Sequence, residues 1–301
     1  MKVKKEVKPS SPLILPTRSK EAVIHAPGMR SGSESFTKAL QRFSTSLWRN
    51  KNLTYQLYKR DLLGNYRKSV LGLLWILLAP LIGAISWSFM NSAGILSPGD
   101  VGIPYPAYVL ISGAIWAIFA GTAATTGETL ETNKGFISQV YFPHEILFVK
   151  QAGSALSSAT ITFFLNMLVA LVLGVVPSWY IVFYPLLVLP LVLLGSGIGF
   201  FVSVLSAIAT DIRRVATLVI GMLMFATPVV YVKTPDNPWL SWFVEHNPLT
   251  ILIRFPREVI LFGTFDHSSQ FALTSLGVLV FFIVSLRFFF TTEPSAIERM
   301  F

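Results

Sequence analysis

The chain has 301 residues, 53% of them hydrophobic and only 13% charged, with a mean hydropathy of +0.62. A soluble domain carries about 25% charged residues, so this chain is short of solvated surface, and its length reads as one membrane domain rather than one or two soluble ones. It contains no cysteine, which excludes a disulfide framework, a thiol nucleophile and any Cys-based metal site.

The net charge of +9 is uneven: residues 1–70 hold 15 of the 24 Lys and Arg and 4 of the 15 Asp and Glu, and the remainder nets −2. A basic end suits nucleic acid or, in a membrane protein, a cytoplasmic terminus beside anionic lipid. The apolar remainder favours the lipid, so no nucleic-acid partner is expected.

Residues 1–33 are rich in Lys, Pro, Ser and Gly without a sustained period and read as a disordered cytoplasmic tail. The apolar triplet 13–15 is too short for the core of a signal peptide. Residues 34–69 read as a cytoplasmic amphipathic interface segment. Phe36, Leu40, Phe43 and Leu47 make one apolar helical stripe, and Leu53, Leu57, Leu62 and Tyr66 continue it loosely among Lys59, Arg60 and Arg67. A basic amphipathic helix of this kind lies in the membrane interface; the alternative is a surface helix on a soluble core, which this chain hardly has.

Residues 70–290 carry the transmembrane domain. A crossing takes about 20 apolar residues. Val70–Met90 and Val101–Thr126 are free of charge, as is the whole of 151–210. Gly174 and Pro177-Ser178-Trp179-Tyr180 divide that long run into two spans. Val215–Val232 is the fifth and Ser268–Leu286 the sixth. Cations at Lys134, Lys150, Arg213 and Arg214 mark cytoplasmic loops, so both termini are expected in the cytoplasm, with 291–301 a cytoplasmic tail. The external segment 233–267 holds "NPLTILIRFPREVILFG", too apolar for a free loop and too short to span. It reads as a re-entrant helical pair broken near Pro256, facing protein or a water-filled cavity. A helix lying flat on the membrane is the alternative. The fold class is therefore all-α integral membrane, with six spans, an interface helix and re-entrant external helices.

Catalytic signatures are sparse. No Gly-Lys dipeptide occurs, so no Walker A loop exists in this chain. The five Asp residues are at least 25 positions apart, which excludes a local paired-Asp metal motif, and no His-Glu-x-x-His is present. No metal site is expected. Gly195 and Gly199 form a G-x-x-x-G that suits close helix packing in lipid, with simple flexibility as the alternative. Charge-free spans speak against an ion-coupled carrier. Gly72 and Pro80 are positions where the first span can bend, for movement or for static packing.

"YKRDLLGNYRKSVLGLLWILLAPLI" (58–82), "NKGFISQVYFPHEIL" (133–147), "TDIRR" (210–214), "TPVVY" (227–231) and "NPLTILI" (247–253) resemble the permease subunit of ABC-2 type polysaccharide exporters. Among these the chain looks most like O-antigen export permeases; capsule and teichoic acid permeases are related. The resemblance spans roughly residues 40–290. It implies a homodimer in the bacterial inner membrane, served by two separate ATP-binding cassette subunits. It further implies an undecaprenyl-diphosphate-linked polysaccharide as cargo. Any ATP and Mg would belong to the partner, so no cofactor is expected in this chain, and no catalytic residue.

Within that resemblance, Lys59, Arg60, Arg67 and Lys68 are candidates to hold the lipid diphosphate at the entrance. Anchoring by the positive-inside rule alone is the alternative. A sugar channel needs aromatic surfaces and few fixed charges. Trp75, Trp87, Tyr105 and Tyr108 are candidates from the first two spans, and Trp116, Phe119, Phe225 and Tyr231 complete the set. The ATPase contact is placed at Tyr141, Phe142, Pro143, His144 and Glu145, where an aromatic pair before proline suits an interface anchor; re-entry at headgroup level is the alternative. The external gate is placed at Asn247, Pro248, Arg254, Pro256 and Arg257. Rival readings are a small-lipid or drug exporter of the same topology, a membrane-embedded glycosyltransferase, and an envelope scaffold.

Overall fold

The computed structural model describes residues 36–66, 74–96, 98–139, 142–232 and 237–300. The predicted tail 1–33 lies outside them, as do Arg67, Lys68, Gly72 and Tyr141. Among the described residues the fold is all helix, with no strand.

The helices are α1 (Phe36–Arg49), α2 (Lys51–Tyr66), α3 (Leu74–Ser92) and α4 (Tyr105–Gly127). Two single turns follow, α5 (Thr129–Thr132) and α6 (Lys134–Ile137), then α7 (Glu145–Val172). A 3-10 turn (Trp179–Phe183) leads into α8 (Tyr184–Ile208), α9 (Asp211–Leu223), α10 (Pro238–His246), α11 (Pro248–Phe262) and α12 (Ser268–Met300). Proline stands at the first or second position of α4, α8, α10 and α11, where its missing N–H costs no helical bond. Side-chain oxygens of Asn237 and Asn247 cap α10 and α11.

Helix α4 is the axis of the bundle. Its Ile111, Ile115, Ile118 and Phe119 are fully enclosed. It shows no single apolar face because α7 and α8 pack on it from different sides, as a helix apolar all round requires. Helix α12 packs along α8. Glycines let α8 approach α4 closely: a Cβ at Gly199 would fall 1.7 Å from Thr126 Oγ1, and one at Gly195 would fall 2.0 Å from Thr122 Oγ1. The G-x-x-x-G pair is thus a packing seam.

One end of the bundle, here called basal, gathers α1, α2, the start of α7 and the end of α12. There the aromatic ring of Phe43 meets Phe282 edge-on, and the Arg42 and Arg287 guanidinium groups lie over Phe290 and Phe36 at 4.5 and 4.4 Å. The predicted stripe on α1 is only partly turned inward: Phe43 and Leu47 are half-buried, whereas Phe36 and Leu40 remain exposed. The other end, here called distal, gathers α10, α11 and the 3-10 turn.

Among the described residues, four segments are long and apolar enough to cross a membrane: Tyr105–Gly127, Glu145–Val172, Trp179–Ile208 and Ser268–Met300. The predicted first span appears as α3, a shorter apolar helix, with 67–73 outside the described residues. The predicted fifth span differs more. Helix α9 has 13 residues, about 20 Å at 1.5 Å per residue against a hydrocarbon core of about 30 Å. Residues 224–230 form turns instead. The expected break at Pro256 is also absent: α11 runs through Pro256, which is buried, and the chain breaks at Asn247 between α10 and α11. An interior proline sacrifices one helical bond, but an Asn cap followed by Pro248 starts a new helix outright.

Candidate functional site

Two polar constellations stand out, one at each end. At the basal end, α2 docks on the first half of α7. The Tyr58 and Ser157 hydroxyls share a hydrogen bond of 2.7 Å, and the Tyr58 ring lies 3.6 Å from the place a Cβ would occupy on Gly153. One turn before Gly153 in α7, the Lys150 ammonium is 2% exposed and sits 2.6 Å from Asp61 Oδ2. It also donates to Asn133 Oδ1 at 3.4 Å, while Arg60 Nε reaches Asp61 Oδ1 at 3.0 Å. Burial works to raise the Asp61 pKa. The hydrogen bond and charge of Lys150, followed by those of Arg60, outweigh it, and the carboxyl is held below its ordinary value. Lys59 and Arg60 themselves face outward and are exposed.

The segment before α7 is tied in at the same place. Phe142 is buried against Leu57, Ile146 and Leu147, with its ring 4.8 Å from that of Phe136. The ring therefore faces inward, and of the described residues beside it Pro143 and His144 are half-buried. His144 Nδ1 contacts Glu293 Oε1 of α12, and Glu145 is buried at the first position of α7. Nearby, Arg213 at the start of α9 pairs with Glu131 of α5 at 3.0 Å.

At the distal end, the non-helical stretch after α9 is held by side chains of α4 and α11. Tyr105 Oη donates to the Val230 carbonyl at 2.8 Å, and Tyr108 Oη donates to that of Tyr231 at 3.0 Å. Arg257, 4% exposed, donates to the Pro228 carbonyl at 2.9 Å and to Ser112 Oγ at 3.1 Å, with its guanidinium 4.5 Å from the Tyr108 ring centre. Asn247 Nδ2 donates to the Ala226 carbonyl and to Thr227 Oγ1 at 3.1 and 3.2 Å, while its Oδ1 caps α11 at Leu249 N. Arg254 stays exposed and pairs with Glu258 at 2.7 Å.

The eight aromatic candidates do not form one surface. Tyr105, Tyr108, Trp116 and Phe119 are buried in the α4 core. Trp87, Phe225 and Tyr231 come together: the Trp87 and Phe225 rings are 6.2 Å apart, and Tyr231 Oη donates to the Phe225 carbonyl at 2.9 Å. Trp75 is exposed at the basal end of α3.

The reading of residues alone did not single out Lys150 with Asp61, nor Ser112, Thr227 and the Pro228 carbonyl. For Lys150 a signal existed, because it is the one charge between Glu145 and Asp211, at the edge of a span where a charge needs a partner. For a backbone carbonyl no residue type gives warning.

The chain matches the family described as ABC-2 type transporter over residues 52–261, well over half its length. Two Klebsiella pneumoniae proteins named O-antigen export system permease protein RfbA are each 25% identical over 249 residues, 79% of this chain and 93% of the relative. A Myxococcus xanthus protein of the same name is 21% identical over 215 residues, 70% of this chain and 81% of the relative.

Proposed function

The chain belongs to the ABC-2 type transporter family, and we propose that it is the permease subunit of an exporter that carries a lipid-linked polysaccharide of the O-antigen kind across the bacterial inner membrane. The carrying observation is the similarity to O-antigen export permeases along 70–79% of the chain. Energy comes from ATP hydrolysed on a separate partner subunit. The working unit is a homodimer with two such ATPases and six crossings per chain. In this reading α3 is the first crossing, and α9 with the turns after it is the fifth. The basal end is cytoplasmic, where the cations concentrate, and the distal end is the exit.

The exposed cations Lys59 and Arg60, with Arg67 and Lys68 further along the chain, meet the diphosphate at the cytoplasmic headgroups. Sugar rings then slide past aromatic faces, for which the Trp87, Phe225 and Tyr231 cluster offers accessible surface. The ATPase acts on the surface at Pro143 and His144, and the inward Phe142 passes that force to α2. Capsule or teichoic acid polymers fit the same apparatus. A glycosyltransferase would transfer sugar without moving it.

The test is reconstitution with the cognate ATPase in proteoliposomes and measurement of ATP-dependent transfer of lipid-linked glycan. Transfer that stops when the ATPase or ATP is withheld supports the reading. ATP hydrolysis with no net glycan movement would refute it. Within this assay Arg60→Ala is expected to raise the half-saturating glycan concentration about tenfold at unchanged membrane abundance, the loss of one charge-assisted hydrogen bond.

A further inference from the structure

The turns from Met224 to Val232 contain backbone that makes no helical ladder, yet they follow directly on an apolar helix. Backbone of this kind is tolerated at membrane depth only where protein or a water-filled cavity satisfies it. Some of it is satisfied locally, with Thr227 N donating to the Met224 carbonyl, Val229 N to that of Thr227 and the Tyr231 hydroxyl to that of Phe225, and four further carbonyls are met by side chains from α4 and α11 with its Asn247 cap. The carbonyls of Ala226, Pro228, Val230 and Tyr231 accept from Asn247, Arg257, Tyr105 and Tyr108 respectively. Among the described residues one backbone bond joins the far end to the α3–α4 connection, from Val232 N to the Pro98 carbonyl at 2.7 Å. Val229 and Val230 are fully covered, with 0% and 2% exposure.

We infer that Tyr105, Tyr108, Asn247 and Arg257 are positioning residues that hold the 224–232 turns as the closed barrier at the exit, released when sugar hydroxyls replace their bonds. The inference rests on the exporter reading for what passes the barrier. Its chemistry is specific. Releasing the turns strips four carbonyls of donors and leaves a buried guanidinium, an amide and two phenols seeking acceptors. Lipid tails supply neither kind of group. Each sugar unit supplies hydroxyls that donate to the carbonyls and accept from Arg257 and the tyrosines, so opening onto a glycan leaves no polar group orphaned. Arg257 is central because one nitrogen serves both Ser112 of α4 and the Pro228 carbonyl.

The absence of cysteine from the chain permits a direct test without substrate or ATPase. Val230→Cys places a reporter thiol in the covered part of the barrier, and Asp266→Cys places a control on the exposed distal turn. The reagent is a membrane-impermeant maleimide, loaded on both sides of proteoliposomes holding the full chain. With no other change in the chain, the thiol at position 230 is expected to label slowly. Combined with Arg257→Met it should label at least about tenfold faster, the opening ratio that loss of one charge-assisted hydrogen bond gives. Arg257→Lys should recover part of the protection, and the control should be unchanged throughout. Tyr105→Phe, which deletes only a hydroxyl, serves if Arg257→Met fails to accumulate. Equal labelling at position 230 with and without Arg257→Met or Tyr105→Phe would overturn the inference. Faster labelling together with no glycan transfer on reconstitution would keep the barrier and sink the exporter reading instead.

Discussion

Gly199→Ala and Gly195→Ala are each expected to remove most of the folded protein from the membrane. A Cβ at 199 would lie 1.7 Å from Thr126 Oγ1, 2.6 Å from Thr126 Cβ and 3.0 Å from Gly127 N. At 195 it would lie 2.0 Å from Thr122 Oγ1, 2.7 Å from the Phe119 carbonyl oxygen and 3.0 Å from Ala123 N. A hydroxyl can rotate away, but the Thr126 Cβ and the α4 backbone cannot. The helices must separate, and every dispersion contact along the seam weakens with them. Overpacking a tight interior costs about 1–3 kcal/mol and more where backbone is the obstacle, so a loss of about 3 kcal/mol or greater is expected. The measurement is the monodisperse fraction after detergent extraction and its thermal midpoint. Gly221→Ala and Gly277→Ala, where a Cβ meets nothing within 4 Å, are the controls. They should match or slightly exceed the parent, since Ala favours a helix over Gly by about 0.5–1 kcal/mol. A loss at 221 and 277 equal to that at 195 and 199 would show that the seam is not special.

Exchanging the charges of the α2–α7 pair should restore what either single change destroys. Asp61→Ala leaves Lys150 as a buried ammonium whose remaining partner among the described residues is the Asn133 amide oxygen at 3.4 Å. Removing one partner of a buried pair costs about 3–5 kcal/mol, and this is the more damaging substitution. Lys150→Ala is milder, because Asp61 keeps Arg60 at 3.0 Å and its side chain is 25% exposed. Export should fall to under about one tenth in Asp61→Ala, a change of about 1.4 kcal/mol or more. The double variant Asp61→Lys, Lys150→Asp should regain a large part of both abundance and export. If the double variant is no better than the worse single one, the pair is not what docks α2. The pH dependence has a defined sign. A carboxyl whose pKa is depressed in the fold adds stability above its ordinary pKa and loses it only as pH falls through the depressed value. The pair's contribution should therefore be flat across the neutral range, and a thermal midpoint that drops between neutral and mildly acidic pH would have to come from another group.

Much of the architecture is legible in the residues. Charge-free runs locate α4, α7, α8 and α12 because hydrocarbon admits few charges over about 20 residues. The small-residue spacing at 195 and 199 marks the seam because only glycine lets two backbones approach so closely. Two things are not legible. Periodicity shows which face of a helix is apolar but not which helix covers it, so Asp61 and Lys150, 89 residues apart in the chain, give no sign of meeting. The early end of the helix in the predicted fifth span is hidden for a related reason. Val215–Val232 is charge-free throughout, yet its second half leaves the helical ladder where Tyr105, Tyr108, Asn247 and Arg257 satisfy its carbonyls instead. Pro256 misleads in the opposite direction, since neighbouring helices stabilise α11 around it.

Helix α12 runs 33 residues without interruption, about 50 Å at 1.5 Å per residue. Near its first turn Phe271 stacks on Phe255 of α11 at 4.5 Å, and near its last turns Glu293 grips His144. A stiff rod pinned at both extremities makes the two contacts parts of one body. A displacement of the segment that carries His144 is therefore expected to be felt beside the helix that carries Arg257, with no relay of intermediate side chains required.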